Sequence, residues 1–210
     1  PHPSGEEFHN LVSAAVYVVS RPYLERIPQG QHLDLGRDIF PLTLQGMVSY
    51  CTPEYLKDMG TPERLKRTEE DYLSGRVLAS NRSKAVPAVF LDRDGVINRY
   101  CGFITSAEQI EILPGVADGI TQLHKAGYVV ICVTNQSGIA RGLFDMEGLR
   151  LIHRRIEWSL GERGTYLDKI YFCPHHPDAG YPEEVPEYKI PCKCRKPEPG
   201  MLLQAMEDFH

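Results

Sequence analysis

Apolar and polar positions follow two different patterns along this chain. From residue 86 onward short apolar runs alternate with amphipathic stretches. Residues 86–91 read as a strand, Pro114 opens a helix that runs to about Lys125 where Gly127 stops it, and residues 128–133 form the next strand. A helix over about 145–160 with Asp145 as its cap follows, then a short strand at 169–172 and a last helix from about Pro199. Apolar, β-branched strands separated by helices predict an α/β fold, a parallel sheet covered on both faces. Before residue 86 the rhythm is less regular. Residues 11–19 (LVSAAVYVV) and 48–50 read as strands, 37–44 as a short helix or turn broken by Pro41, and 63 to about 73 as a helix with Thr61 as cap and Pro62 at its first position. The polar stretch 74–84 (SGRVLASNRSK) is expected to be flexible and marks a boundary between segments 1–83 and 84–210. A strand–helix pattern that stops on a helix leaves its next strand absent, so further sequence is expected beyond His210.

Composition narrows the classes. With 210 residues the chain can bury a sizeable core, and a net charge of -5 argues against a general nucleic-acid surface. The basic run at 64–67 is interrupted by Leu65 and followed by Glu69, Glu70 and Asp71, the pattern of a solvated helix face. The longest apolar windows are far too short to span a bilayer, and no basic stretch precedes an apolar signal core. No membrane or nucleic-acid partner is expected, and a cytoplasmic location is the default.

Candidate chemistry gathers at the predicted strand ends. AVFLDRDGVIN (88–98) places Asp92 and Asp94 just after an apolar run, where open α/β sheets bind ligands. Such a pair serves as nucleophile or metal ligand and proton donor, or else as a turn or cation-binding loop. Thr134-Asn135-Gln136-Ser137-Gly138 follows the second strand; it is either a plain turn or, facing the aspartates, a phosphate site. Arg195 and Lys196 supply cations before the last helix, unless they form a solvated basic turn, and Arg141 lies just past the Thr134 loop. Of six cysteines, Cys51, Cys101 and Cys132 are isolated, with Cys132 read as a small buried thiol. Cys173-Pro174-His175 and Cys192-Lys193-Cys194 bring three sulfurs and one imidazole together, a set suited to a closed structural Zn²⁺ site as against scattered reduced thiols. His176 is the less favoured alternative to His175.

The motifs LDRDGVIN, TNQSGIARG and CRKPEPGM together resemble the haloacid dehalogenase superfamily of phosphatases, in the branch of the heptose bisphosphate and histidinol phosphatases. The resemblance covers 86–210 and implies a Rossmann-like α/β fold. It implies that Asp92 attacks phosphorus to give an aspartyl phosphate, that Asp94 protonates the leaving oxygen and then activates water, and that Thr134, the Asn135 backbone and Lys196 hold the phosphoryl oxygens. Mg²⁺ would rest on the Asp92 side chain and the Asp94 carbonyl, and the Cys-x-His and Cys-x-Cys pairs would hold Zn²⁺. A fourth acidic motif on a later strand, which completes the Mg²⁺ site in this superfamily, has no counterpart here; Glu207 and Asp208 read as helix-surface acids. Arg195 beside Lys196 favours a second anion on the substrate, hence a sugar bisphosphate over histidinol phosphate.

The front of the chain resembles the closing part of a sugar-phosphate nucleotidyltransferase, through SAAVYVVSRPYLERI, DLGRDIFPLT and YLKDMGTPERLKRTEEDYLSG. Asp58 matches an acidic residue that helps bind metal there, but the Gly-rich nucleotide loop is absent, so Asp58 is expected to be a turn acid before a helix. Two partial resemblances predict the middle of a bifunctional enzyme acting on a sugar phosphate. An exposed half-domain at the front predicts self-association or contact with the rest of a longer chain. The reading from a different class is a non-catalytic, zinc-stabilised scaffold.

Overall fold

The computed structural model describes residues 13–50, 52, 54–81, 85–178, 180 and 182–209. Three parallel strands, β1 (Ala88–Leu91), β2 (Val129–Asn135) and β3 (Lys169–Cys173), form one sheet in the order β1-β2-β3. The register pairs Leu91 with Cys132 and Asn135 with Cys173, so all three strands finish at the same edge. This is the expected α/β architecture, and it brings the segments after residues 91, 135 and 173 together.

β2 lies in the middle and is buried on both faces, which explains its unbroken apolar sequence. Val130 and Cys132 face a core with Ile120 of α4 (Val116–Lys125) and Ile152, Ile156 and Leu160 of α5 (Met146–Gly161). The alternate residues Ile131 and Val133 face Met201, Ala205 and Phe209 of α6 (Gly200–Phe209). Helices thus cover both faces.

Local chemistry sets the helix ends. Asp145 accepts a hydrogen bond from the Gly148 N–H at 2.7 Å and caps α5 as expected. α4 starts two residues after Pro114 because Gly115 stands before it in the left-handed region, at φ +82°. At the start of α6 the Gly200 N–H donates to the Lys193 carbonyl, and a Cβ on Gly200 would lie 2.2 Å from that oxygen, so no larger residue fits there. Asp208 does more than decorate the helix surface: its Oδ2 accepts from the Tyr171 hydroxyl at 2.6 Å, tying α6 to β3.

The first part of the chain departs from the sequence expectation. Residues 13–19 and 48–50 form no strand among the described residues, while 11 and 12 lie outside them. Among the described residues no strand pairs with these runs, and Val16, Val18 and Val48 stand exposed. The segment 37–44 does coil: a π-helical turn at Leu35–Ile39 leads into a 3₁₀ turn at Phe40–Leu42. A short helix, α1 (Arg21–Leu24), precedes it without having been expected. α2 (Pro62–Leu73) forms as predicted, with the Thr61 hydroxyl accepting from the Arg64 N–H, and carries no buried residue. Asp58 accepts from the Gly60 N–H and pairs with Arg64, the geometry of a turn acid. The polar stretch after α2 contains one further helical turn, α3 (Arg76–Ala79).

Candidate active site and metal centre

At the shared edge Asp92 follows β1 directly. Its Oδ1 accepts from the Arg93 N–H at 2.7 Å and its Oδ2 lies 2.7 Å from Lys196 Nζ, with both side chains open to solvent in part. A pair this exposed contributes at most about 1 kcal/mol, so something else must hold Lys196. The Val133 carbonyl accepts from its Nζ at 2.9 Å. The Asn135 side chain also bonds the Lys196 main chain twice, Oδ1 accepting from its N–H at 3.0 Å and Nδ2 donating to its carbonyl at 3.1 Å. The end of β2 therefore fixes the lysine, and the lysine faces the aspartate.

Asp94 is bound by donors on every side. Arg93 grips both its oxygens, Nε to Oδ1 at 3.0 Å and Nη2 to Oδ2 at 2.9 Å; Asn98 Nδ2 donates to Oδ1 and Gln136 Nε2 to Oδ2. Four incoming donors match an acceptor-only carboxylate. The Arg93 guanidinium is 1% exposed, so loss of Asp94 would strand a buried charge at a cost of about 3–5 kcal/mol. Thr134 and Gln136 are buried beside it, joined by a 2.9 Å bond from Gln136 Nε2 to Thr134 Oγ1.

Arg141 and Arg195 lie at the loops. Arg141 Nη2 meets His176 Nε2 at 2.9 Å, and its guanidinium sits over the Phe103 ring. Arg195 donates to the His175 carbonyl at 3.2 Å. Val185 N–H donates to the Ala140 carbonyl and Glu183 closes on Gly142, so the loop carrying His176 packs against the segment carrying Arg141. Burial, with Arg141 and Arg195 nearby, lowers the pKa of His176 and leaves it a neutral acceptor for Arg141.

The ligand atoms of Cys173, His175, Cys192 and Cys194 lie within 4.8 Å of one another. Sulfur–sulfur separations are 3.2 to 3.5 Å, and His175 Nδ1 stands 3.4 and 3.7 Å from Cys194 and Cys173. Such distances trace the edges of a small tetrahedron that a four-coordinate cation would fill, so this donor set fits a soft divalent metal. His176 stands apart from the group, its ring turned to Arg141. Cys132 is a buried thiol, as expected, and burial pushes its pKa up to about 12.

The structure thus brings Asp92, Asp94, Thr134, Asn135 and Lys196 to one edge and gathers the four metal-type ligands beside it. Arg93, Asn98 and Gln136 received no role of their own in the sequence reading, although each lies inside or next to a motif, and His176 was weighed there only as an alternative metal ligand, not as a partner of Arg141. Nothing in their spelling separates a buried, hydrogen-bonded side chain from a solvated one.

Comparison with known proteins agrees with the fold. The chain is 49% identical over 127 residues to D-glycero-beta-D-manno-heptose-1,7-bisphosphate 7-phosphatase of Photorhabdus laumondii, a match covering 60% of this chain and 65% of that protein. It is 45% identical over 128 residues to the phosphatase of the same name from Escherichia coli strain K12, covering 61% and 65%. The chain thus spans about 65% of the length of these curated relatives. A solved HAD-like phosphatase from Mesorhizobium loti, itself described as putative, superposes with a TM-score of 0.54 at 36% identity, over 59% of this chain and 57% of that one. No family model matches. The sheet and its helices have the Rossmann-like α/β fold of haloacid-dehalogenase-type phosphatases. No helix among the described residues is long and apolar enough to cross a membrane.

Proposed function

We propose that this chain is the greater part of a phosphomonoesterase that removes one phosphate from a sugar bisphosphate, a heptose bisphosphate by likeness to its relatives. One observation carries the reading: an accessible carboxylate, Asp92, is held 2.7 Å from Lys196 at the strand edge that also presents Asp94 and Thr134.

In the first half an Asp92 oxygen attacks phosphorus, the bond from phosphorus to the sugar oxygen breaks, and that oxygen takes a proton from Asp94. Asp94 must enter this step protonated, so one of its oxygens turns donor and its grip on Arg93 loosens. In the second half Asp94, again a carboxylate, accepts a proton from water as the water oxygen attacks phosphorus, and the aspartyl–phosphorus bond breaks to release inorganic phosphate. Lys196 offsets the repulsion between a carboxylate nucleophile and a phosphate dianion. The hard oxygens of Asp92 and the Asp94 main chain fit Mg²⁺, which when bound supplies further charge neutralisation on the phosphoryl oxygens. Thr134 and the Asn135 backbone bind those oxygens, and Arg141 and Arg195 receive the second phosphate.

In the same reading the Cys/His group holds Zn²⁺ and pins the loop that positions Arg195 and Lys196. Segment 1–83 is the closing part of a sugar nucleotidyltransferase, joined to phosphatase residues 84–210 in a bifunctional cytoplasmic protein. The test is phosphate release with Mg²⁺ from heptose bisphosphate and from histidinol phosphate. Turnover of the bisphosphate is expected, with Asp92→Asn lowering it by at least about a thousandfold. Near-parental release by that variant rejects the covalent route, and a clear preference for histidinol phosphate rejects the substrate. No release from either ester supports a zinc-stabilised scaffold instead.

A further inference from the structure

Gln136 joins two groups that the mechanism uses at different moments. Its single amide nitrogen donates to Asp94 Oδ2 and to Thr134 Oγ1, each at 2.9 Å, and both Gln136 and Thr134 are buried. The acceptor-only carboxylate of Asp94 requires the NH₂ end of the amide on this side, so its orientation is decided by chemistry. A hydroxyl has one hydrogen. With the Gln136 N–H delivered to its oxygen, the Thr134 hydroxyl is left to donate its own hydrogen elsewhere. The main chain beneath is fixed as well, since the Gln136 N–H donates to the Cys173 carbonyl at the end of β3 at 2.7 Å.

Resting on the phosphatase reading of this site, we infer that Gln136 is a positioning residue that aims the Thr134 hydroxyl at the phosphoryl group while anchoring Asp94 for proton transfer. Without it Oδ2 of Asp94 keeps, among the described residues, Arg93 Nη2 as its side-chain donor, and the carboxylate settles toward the arginine. The Thr134 hydroxyl loses the donor that sets its direction and can spend its hydrogen on a neighbouring acceptor. Phosphoryl binding and proton transfer therefore answer to one buried amide.

A double-mutant cycle in the affinity for inorganic phosphate, measured by calorimetry on the whole chain, tests this. Gln136→Met and Thr134→Val are each expected to weaken phosphate binding about tenfold, and the double variant to remain within about threefold of the weaker single one, because both remove the same contact. Gln136→Glu keeps size and shape but turns an oxygen toward Asp94; it is expected to bind phosphate at least as weakly as Gln136→Met, and decides the matter if the methionine variant does not fold. The inference is overturned if either Gln136 variant binds phosphate within about twofold of the parent, if the two effects multiply to about a hundredfold, or if the parent binds no phosphate. Ester hydrolysis by the parent is scored separately. Coupled phosphate binding without hydrolysis overturns the phosphatase reading and leaves the positioning role standing.

Discussion

Residues 13–81 and residues 85–209 both contain apolar runs, yet only the second set is organised into layers. Ile39, at 9% exposure, is the buried apolar side chain of the first region among the described residues, whereas Ile97, Ile120, Ile152 and Ile156 of the second are at 0 or 1%. Val18, Val48 and Leu42 carry equally apolar side chains and stand in solvent. The difference teaches what an apolar run needs to become a strand: a neighbour to bond its backbone and a helix to cover its side chains. β2 has β1 and β3 beside it, α4 and α5 on one face and α6 on the other. Among the described residues no strand lies beside 13–19.

The largest effect that separates the regions is a core truncation. Ile156→Ala is expected to cost about 2–5 kcal/mol, since it opens a cavity among α4, α5 and β2. Leu42→Ala should stay within about 0.5 kcal/mol. Urea unfolding followed by the fluorescence of Trp158, on α5, measures both, and equal costs would erase the contrast.

Chelation sharpens the comparison next. Removal of the metal expected at Cys173, His175, Cys192 and Cys194 should speed amide exchange in the loop between them and in the residues leading into α6, while α2 is unchanged. Thiols that bind no metal would show no response in either region.

Acid should then loosen the second region ahead of the first. Burial, aided by the charge of Arg93, lowers the pKa of His153 to about 3 from an ordinary 6.5. The unfolded chain therefore takes up this proton first. The stability that His153 contributes is complete above about pH 6.5 and is lost as pH falls toward 3, with a slope of at most about 1.4 kcal/mol per pH unit. His153→Phe is expected to flatten the stability–pH curve between pH 6.5 and 4, and an unchanged slope would rule His153 out.

The smallest effect lies in the first region. Hydrogen bonds from Tyr55 and Lys57 hold the Asp71 carboxyl at about 2, below its ordinary 3.8. Its contribution is present above pH 3.8 and fades as pH falls toward 2. Asp71→Asn should raise amide exchange in α2 slightly near neutral pH and leave β2 untouched.

Much of the second region was legible because its signals are local. Asp145 before a helical period and apolar runs at strand length are readable one segment at a time, as is Thr61 followed by Pro62 in the first region. Asp92 and Asp94 stood out because they follow an apolar run, and the four metal-type ligands because Cys and His rarely cluster without cause. Gln136 could not be read in this way. It is one letter in a loop, and its meaning comes from Asp94, 42 positions earlier in the chain. His176 likewise depends on Arg141, which reaches it from another loop.

The sequence by itself determined the alternation of strand and helix after residue 86 and the chemical types available at each strand end. Backbone hydrogen bonding and side-chain period are properties of short segments, so they survive translation from letters to geometry. Tertiary structure alone decided that the 11–19 run would not become a strand where it is described, that Arg93 would be buried against Asp94, and that Asn135 would clamp Lys196. Each of those outcomes depends on which distant groups arrive to share a hydrogen bond or exclude water, and no local pattern carries that information.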